Sequence, residues 1–203
     1  MMYEVKQQVE HLAGQKQKIT LHPDAIEILF ENRRLIKNVF LNLQGLYGIT
    51  HMGMACIDPS YELIVFSTTP NIECNLIHQN LWAKDHCFTP VLEHKNSLLW
   101  WYYENENIEK IKLKNNRLTL GMTIFRPIGD FSFMYSFATN EAAEGLRQFY
   151  NDNLFGLIDM GDYFYKSLRK LYSSYALNHV PPQLKEFNSK ASALSIKPFL
   201  RLV

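Results

Sequence analysis

The stretch 117–139 constrains the fold of this chain more than any other. RLTLGMTIFRP and DFSFMYSFAT are rich in β-branched and aromatic residues, and the RPIGD between them supplies Pro127 and Gly129, which favour a turn. Two such runs read as an antiparallel hairpin, 117–127 against 130–139. Successive side chains of a strand point to opposite faces. Ser132, Met134, Ser136 and Ala138 therefore share one face, and Phe133, Tyr135, Phe137 and Thr139 share the other. One face is bulky and aromatic. The other is small and partly polar, which either leaves room beside it or fits beneath a packed helix.

HMGMACI (51–57) and ELIVFST (62–68), separated by Asp58-Pro59-Ser60, predict a second hairpin. Before it, Ile26, Leu29, Phe30, Leu35, Ile36, Val39, Phe40 and Leu43 recur at helical spacing. They predict a helix that opens at Pro23-Asp24, bends near Asn32 and ends before Gly45 or Gly48. NIECNLIHQNLW (71–82) predicts a short helix with Ile72 and Leu76 on its apolar face, and Thr89-Pro90 starts another through about residue 95. LLWWYY (98–103) is either a strand or a buried helical turn. Residues 105–114 carry a weak helical stripe, with 110–114 as a solvated basic run. The region 140–176 reads as long helix, capped by Asn140 and interrupted near Asn151-Asp152-Asn153 and Gly156.

That order of elements is α+β: an α-β-α sandwich around a central antiparallel sheet of about five strands. One domain is expected at 21–176, after a polar segment 1–20 and before a linker or tail at 177–203.

Composition narrows the function. Lys plus Arg is 21 against Asp plus Glu 20, a formal charge of +1 that disfavours a polyanion-coating protein. The three cysteines form no CxxC pair, and His86-Cys87 beside Asp85, with His94 further on, lacks a third ligand at diagnostic spacing. Phosphate-binding loops, dinucleotide fingerprints and GxSxG are absent. No metal, cofactor or catalytic set is therefore expected, and binding is favoured over catalysis. With no signal peptide and no long apolar run, the expected location is cytoplasmic, with no membrane contact.

Three places could serve a ligand. Asp85 lies between Trp82 and Phe88; a carboxylate there is exposed, caps backbone, pairs with a donor, or accepts an N–H from a ligand, because burying it alone is costly. If 98–103 is a strand, Trp100 and Tyr102 line one side together, offering rings and polar hydrogens. Ser136 offers a hydroxyl from the small face of the second hairpin.

The run from TTP through NLIHQNLWAKDHCFTPV to LLWW, followed by GMTIFRPIGDFSFMYSFAT, resembles the N-terminal autoinducer-binding domain of LuxR-type quorum-sensing regulators, over roughly residues 25–175. The resemblance implies a PAS/GAF-like fold that senses an acyl-homoserine-lactone-like signal. It implies that Asp85 receives the ligand's amide N–H, that Trp100, fifteen residues on, lies near the lactone ring, and that Ser136 sits near the acyl carbonyl or amide. Ile72, Leu76, Trp82 and Tyr102 complete the expected lining. The chain departs from the family in having Asp85-His86 in place of Asp-Pro, Ile72, Leu76 and His78 on the helix that offers a Tyr and a Trp, and Ser132 in place of glycine. Regulators of this family continue into a DNA-binding helix-turn-helix. Here no direct nucleic-acid binding is expected, and the implied partners are a small hydrophobic signal and a second sensor domain, as a homodimer or a heterodimer with a full-length regulator. The alternative is a ligand-free interaction module or bacterial effector on the same scaffold.

Overall fold

A computed structural model describes residues 18–184 apart from 90, 92–97, 102–104, 142–143 and 177. In chain order the elements are β1 (Thr20–Leu21), α1 (Ala25–Glu31), α2 (Arg33–Leu41), β2 (His51–Ile57), β3 (Glu62–Ser67), α3 (Pro70–His78), β4 (Leu98–Trp100), α4 (Glu106–Lys112), β5 (Leu120–Ile128), β6 (Phe131–Thr139), α5 (Leu146–Asp152) and α6 (Leu154–Tyr175). The sheet has six strands in the order β1-β3-β2-β6-β5-β4. Five are antiparallel, as expected. The sixth, β1, is a two-residue parallel addition to β3, too short for any periodicity to announce it.

The expected bend at Asn32 is a real break. Its side-chain amide donates to the Ile28 carbonyl and to the Tyr175 hydroxyl, so the joint between α1 and α2 is tied to the far end of α6. The break expected at 151–153 falls at Asn153, but Gly156 lies within α6 without interrupting it. A Cβ there would strike the Tyr47 hydroxyl, so close packing explains this glycine. Asn140 is not a helix cap: α5 starts at Leu146, behind Gly145 at φ 87°. Of LLWWYY, the first three residues are strand; Tyr102, His94 and most of the helix expected at 89–95 lie outside the described residues.

The two faces of the sheet are unequal. On one, Met52, Met54, Met122, Ile124, Phe133, Tyr135 and Phe137 pack against α1, α2, α5 and α6 in a single large core. α6 supplies Leu157, Phe164, Tyr165, Leu168 and Tyr172 from one stripe, and Gly161 lets the Tyr135 ring lie directly on its backbone. The other face carries two smaller apolar clusters. One gathers Ile57, Leu63, Phe125 and Met134; the other gathers Ile72, Leu76, Leu81, Ile108 and Ile111 from α3, α4 and the turn after α3. Between them lies a polar region.

Candidate functional site

Strand register creates that region. Ser67 pairs with Gly53, Gly53 with Ser136, and Ser136 with Thr123, so one row across β3-β2-β6-β5 consists entirely of small side chains. The neighbouring row, Val65, Ala55, Met134 and Phe125, is apolar and mostly larger. The small row leaves a cavity of 60 Å³ under α3 and α4, walled by Ile72, Leu76, Trp82 and Phe88 and reached by Glu73, Asp85, Trp101, Lys112 and Ser136. A wider groove of 420 Å³ lies at the turn end of the hairpins, around Pro59 and Gly129. The buried ion pair and its polar neighbours converge on the smaller cavity, so that is the candidate site.

Its centre is an ion pair. Lys112 Nζ donates to Asp85 Oδ2 at 2.7 Å, with both residues about 5% exposed, and the ammonium lies 4.0 Å from the centre of the Trp101 ring. Asp85 also caps the short turn that follows it by accepting from the Cys87 amide. Burial alone would push its carboxyl up, but the charge of Lys112 and the hydrogen bonds from Lys112 and Cys87 outweigh burial and hold it below the usual range. Of the roles open to Asp85, the exposed one is overturned; capping and pairing are both met inside the protein. The solvated-run reading of 110–114 fails at Lys112, which α4 turns inward beside Ile108 and Ile111.

Trp101 is fixed from two sides. Its indole N–H donates to Thr123 Oγ1 at 2.9 Å, and Thr123 Oγ1 lies 3.0 Å from Ser136 Oγ. Its ring covers Gly121, where any Cβ would collide with it. Trp100, the residue selected from sequence, faces the other way. It pairs with Met122 on the main-core face and stacks on Tyr150 at 6.4 Å between ring centres. One step along a strand reverses the face, so the indole at the cavity belongs to Trp101. Of the remaining expected residues, Ile72, Leu76, Trp82 and Ser136 meet Asp85 around the cavity.

Sequence reasoning missed two further groups. His51 shares the cavity face of β2 with Gly53, is 1% exposed, and has no hydrogen-bond partner on either ring nitrogen. Burial, reinforced by the charge of Lys112, lowers its pKa to about 3, so the ring is neutral. Glu73 projects from α3 with Oε2 sealed from solvent and unpartnered. Burial raises its pKa to about 7, against the opposing pull of Ser67 and Lys112. Burial and the neighbouring Asp85 push the Cys87 thiol up, so this sulfur is not a thiolate at neutral pH. Among the described residues, no three metal-ligating side chains come together, and no helix is long and apolar enough to cross a membrane.

No protein-family model matches the chain, and no curated protein does so significantly. Solved structures do. SdiA in complex with octanoyl-rac-glycerol superposes with a TM-score of 0.53 at 14% identity, covering 79% of this chain and 68% of that one. A structure of SdiA from Escherichia coli gives 0.53 at 13% identity, covering 79% and 70%. The N-acylhomoserine lactone-dependent LuxR-family transcription factor CepR2 from Burkholderia cenocepacia gives 0.50 at 7% identity, covering 68% and 98%. The fold is that of the LuxR-type autoinducer-binding domain, as the sequence resemblance implied.

Proposed function

We propose that this domain senses a small amphipathic signal, with the polar head bound among the buried polar groups that surround the Asp85–Lys112 pair and the apolar tail running between the sheet and α3. The observation that carries the reading is a closed group of buried polar side chains at a cavity otherwise walled by aliphatic and aromatic residues, the usual form of a small-molecule site. Support comes from the shared fold, since one solved SdiA holds octanoyl-glycerol and CepR2 is lactone-dependent. Drug-sized ligands need cavities of roughly 300–1,000 Å³, whereas this one is 60 Å³. It accommodates a head group. An acyl tail requires Ile72, Leu76 and Trp82 to move off the sheet, which couples occupancy to the position of α3. Because ligand binds only the folded state, saturation at about a hundred times Kd adds about 2.7 kcal/mol of stability, and this is available to shift dimer or partner affinity.

The small cavity and the internal pairing of Asp85 favour a second reading, a ligand-independent scaffold for protein interaction. One experiment separates the two. Native mass spectrometry of the purified chain, with identification of anything released on denaturation, is followed by thermal shifts against acyl-homoserine lactones and monoacylglycerols with six- to twelve-carbon tails. A released molecule or a concentration-dependent shift supports sensing. A clean mass with no shift across the panel leaves the scaffold reading.

A further inference from the structure

We infer that the ligand is held by a hydroxyl-bearing head group seated on Gly53 between His51 and Glu73, in preference to a lactone ring. This inference rests on the small-molecule reading above and specifies its chemistry.

The first support is space. Gly53 lies in the middle of the small-residue row, in ordinary strand conformation. A Cβ built there would have Glu73 Oε1 at 3.5 Å and both His51 Nε2 and Ser136 Cβ at 3.6 Å, so these three side chains border the spot that glycine leaves open. The second support is unmet hydrogen-bonding capacity. Both ring nitrogens of His51 and Oε2 of Glu73 are buried without partners, a costly condition unless something else completes it. The other polar groups of the cavity are already engaged: Asp85 with Lys112 and the Cys87 amide, the Trp101 indole with Thr123, and Thr123 with Ser136.

The character of the unmet groups selects the head. A neutral imidazole offers one N–H donor and one nitrogen acceptor, and a carboxyl oxygen accepts when ionised. An alcohol both donates and accepts, so adjacent hydroxyls can answer His51 and Glu73 together. The ring and carbonyl oxygens of a lactone only accept, so they meet the Glu73 carboxyl only when it is protonated and leave the acceptor nitrogen of His51 unanswered, whereas a hydroxyl meets the carboxyl in either state. The head of an acyl-homoserine lactone carries one donor, its amide N–H, so it cannot donate to both His51 and Glu73 as a pair of hydroxyls can.

The test uses the whole chain and two probes with the same eight-carbon tail, 1-octanoyl-rac-glycerol and N-octanoyl-homoserine lactone, titrated by calorimetry and by tryptophan fluorescence. The glycerol ester is expected to bind at least tenfold more tightly. Gly53→Ala should remove that preference while leaving the melting temperature level or higher, because its added Cβ meets neighbours only at van der Waals distance. His51→Phe, which keeps a ring but loses both nitrogens, should weaken the glycerol ester at least tenfold and the lactone little. Equal or tighter binding of the lactone to the wild type overturns the inference, as does a glycerol preference that survives both substitutions; either result leaves the sensing reading standing. A wild type that binds neither probe overturns the inference, and the sensing reading falls with it when the wider panel also gives no shift.

Discussion

Replacing Lys112 by methionine tests whether the polar centre of this domain is a true buried ion pair. At a separation of 2.7 Å and an effective dielectric constant of about 20, the attraction between Lys112 and Asp85 is roughly 6 kcal/mol. Desolvating each ion costs several kcal/mol, so the intact pair contributes little net stability. Removing one partner is another matter. Methionine keeps most of the apolar stem of Lys112 but leaves the Asp85 carboxylate buried, with the Cys87 amide and thiol and, 3.7 Å away, His86 beside it. The expected loss at pH 7 is about 3–5 kcal/mol, a large part of a typical domain's stability. The loss should shrink on acidification. In the wild type the depressed Asp85 pKa supplies stability that is present above its unfolded pKa and lost as pH falls through the lower folded value. In Lys112→Met the sign reverses: burial raises the carboxyl, which takes up a proton on mild acidification and ends its own penalty. Guanidinium unfolding at pH 7 and at about pH 5 measures both effects. The double variant Asp85→Asn/Lys112→Met should recover at least about 2 kcal/mol relative to additivity. Single-variant losses below about 1 kcal/mol, independent of pH and additive in the double variant, would refute a desolvated pair.

Two further outcomes are expected from the same cavity. Gly121→Ala drives a Cβ into the Trp101 ring and should cost about 1–3 kcal/mol in thermal unfolding, with a change in near-ultraviolet dichroism; an unchanged spectrum and melting temperature would mean that Trp101 is not seated on this glycine. Glu73, raised to about 7 from 4.5, favours the folded state when protonated, so its own contribution to stability falls by about 3 kcal/mol as pH rises through that window, at about 1.4 kcal/mol per pH unit. The groups that act on it are Lys112 and Asp85, with Ser67 as its hydrogen-bond partner, while His51, lowered to about 3, acts oppositely by adding stability as pH rises from 3 to 6.5. The two contributions nearly cancel between pH 4.5 and 6.5, so Glu73→Gln should turn a flat stretch of the wild-type profile into a rising one. A variant profile that stays flat there would assign the opposing contribution to another group.

Much of the fold was legible because it rests on local patterns. The alternation of FSFMYSFAT placed Phe133, Tyr135 and Phe137 on one face and Met134 and Ser136 on the other, and turn residues delimited both hairpins. The spacing of apolar residues located α1 and α2, and Asn32 marked their joint. In the site, Ile72, Leu76, Trp82, Asp85 and Ser136, picked partly from residue pattern and partly from family resemblance, lie around one cavity.

What the sequence determined by itself was therefore which residues alternate, which recur at helical spacing and where the chain turns. Tertiary structure decided whatever depends on two segments meeting. Trp100 and Trp101 are indistinguishable in a run of aromatics until register against β5 sets one above Gly121 and the other against Tyr150. Lys112 reads as one of several solvated lysines until α4 packs on α3 and brings it to Asp85, 27 residues away in the chain. The small row of Ser67, Gly53, Ser136 and Thr123 comes from four strands, and no single strand shows it. Periodicity is a property of one segment. A cavity and a buried charge pair belong to the alignment of several, and that alignment is set by long-range packing that no local window contains.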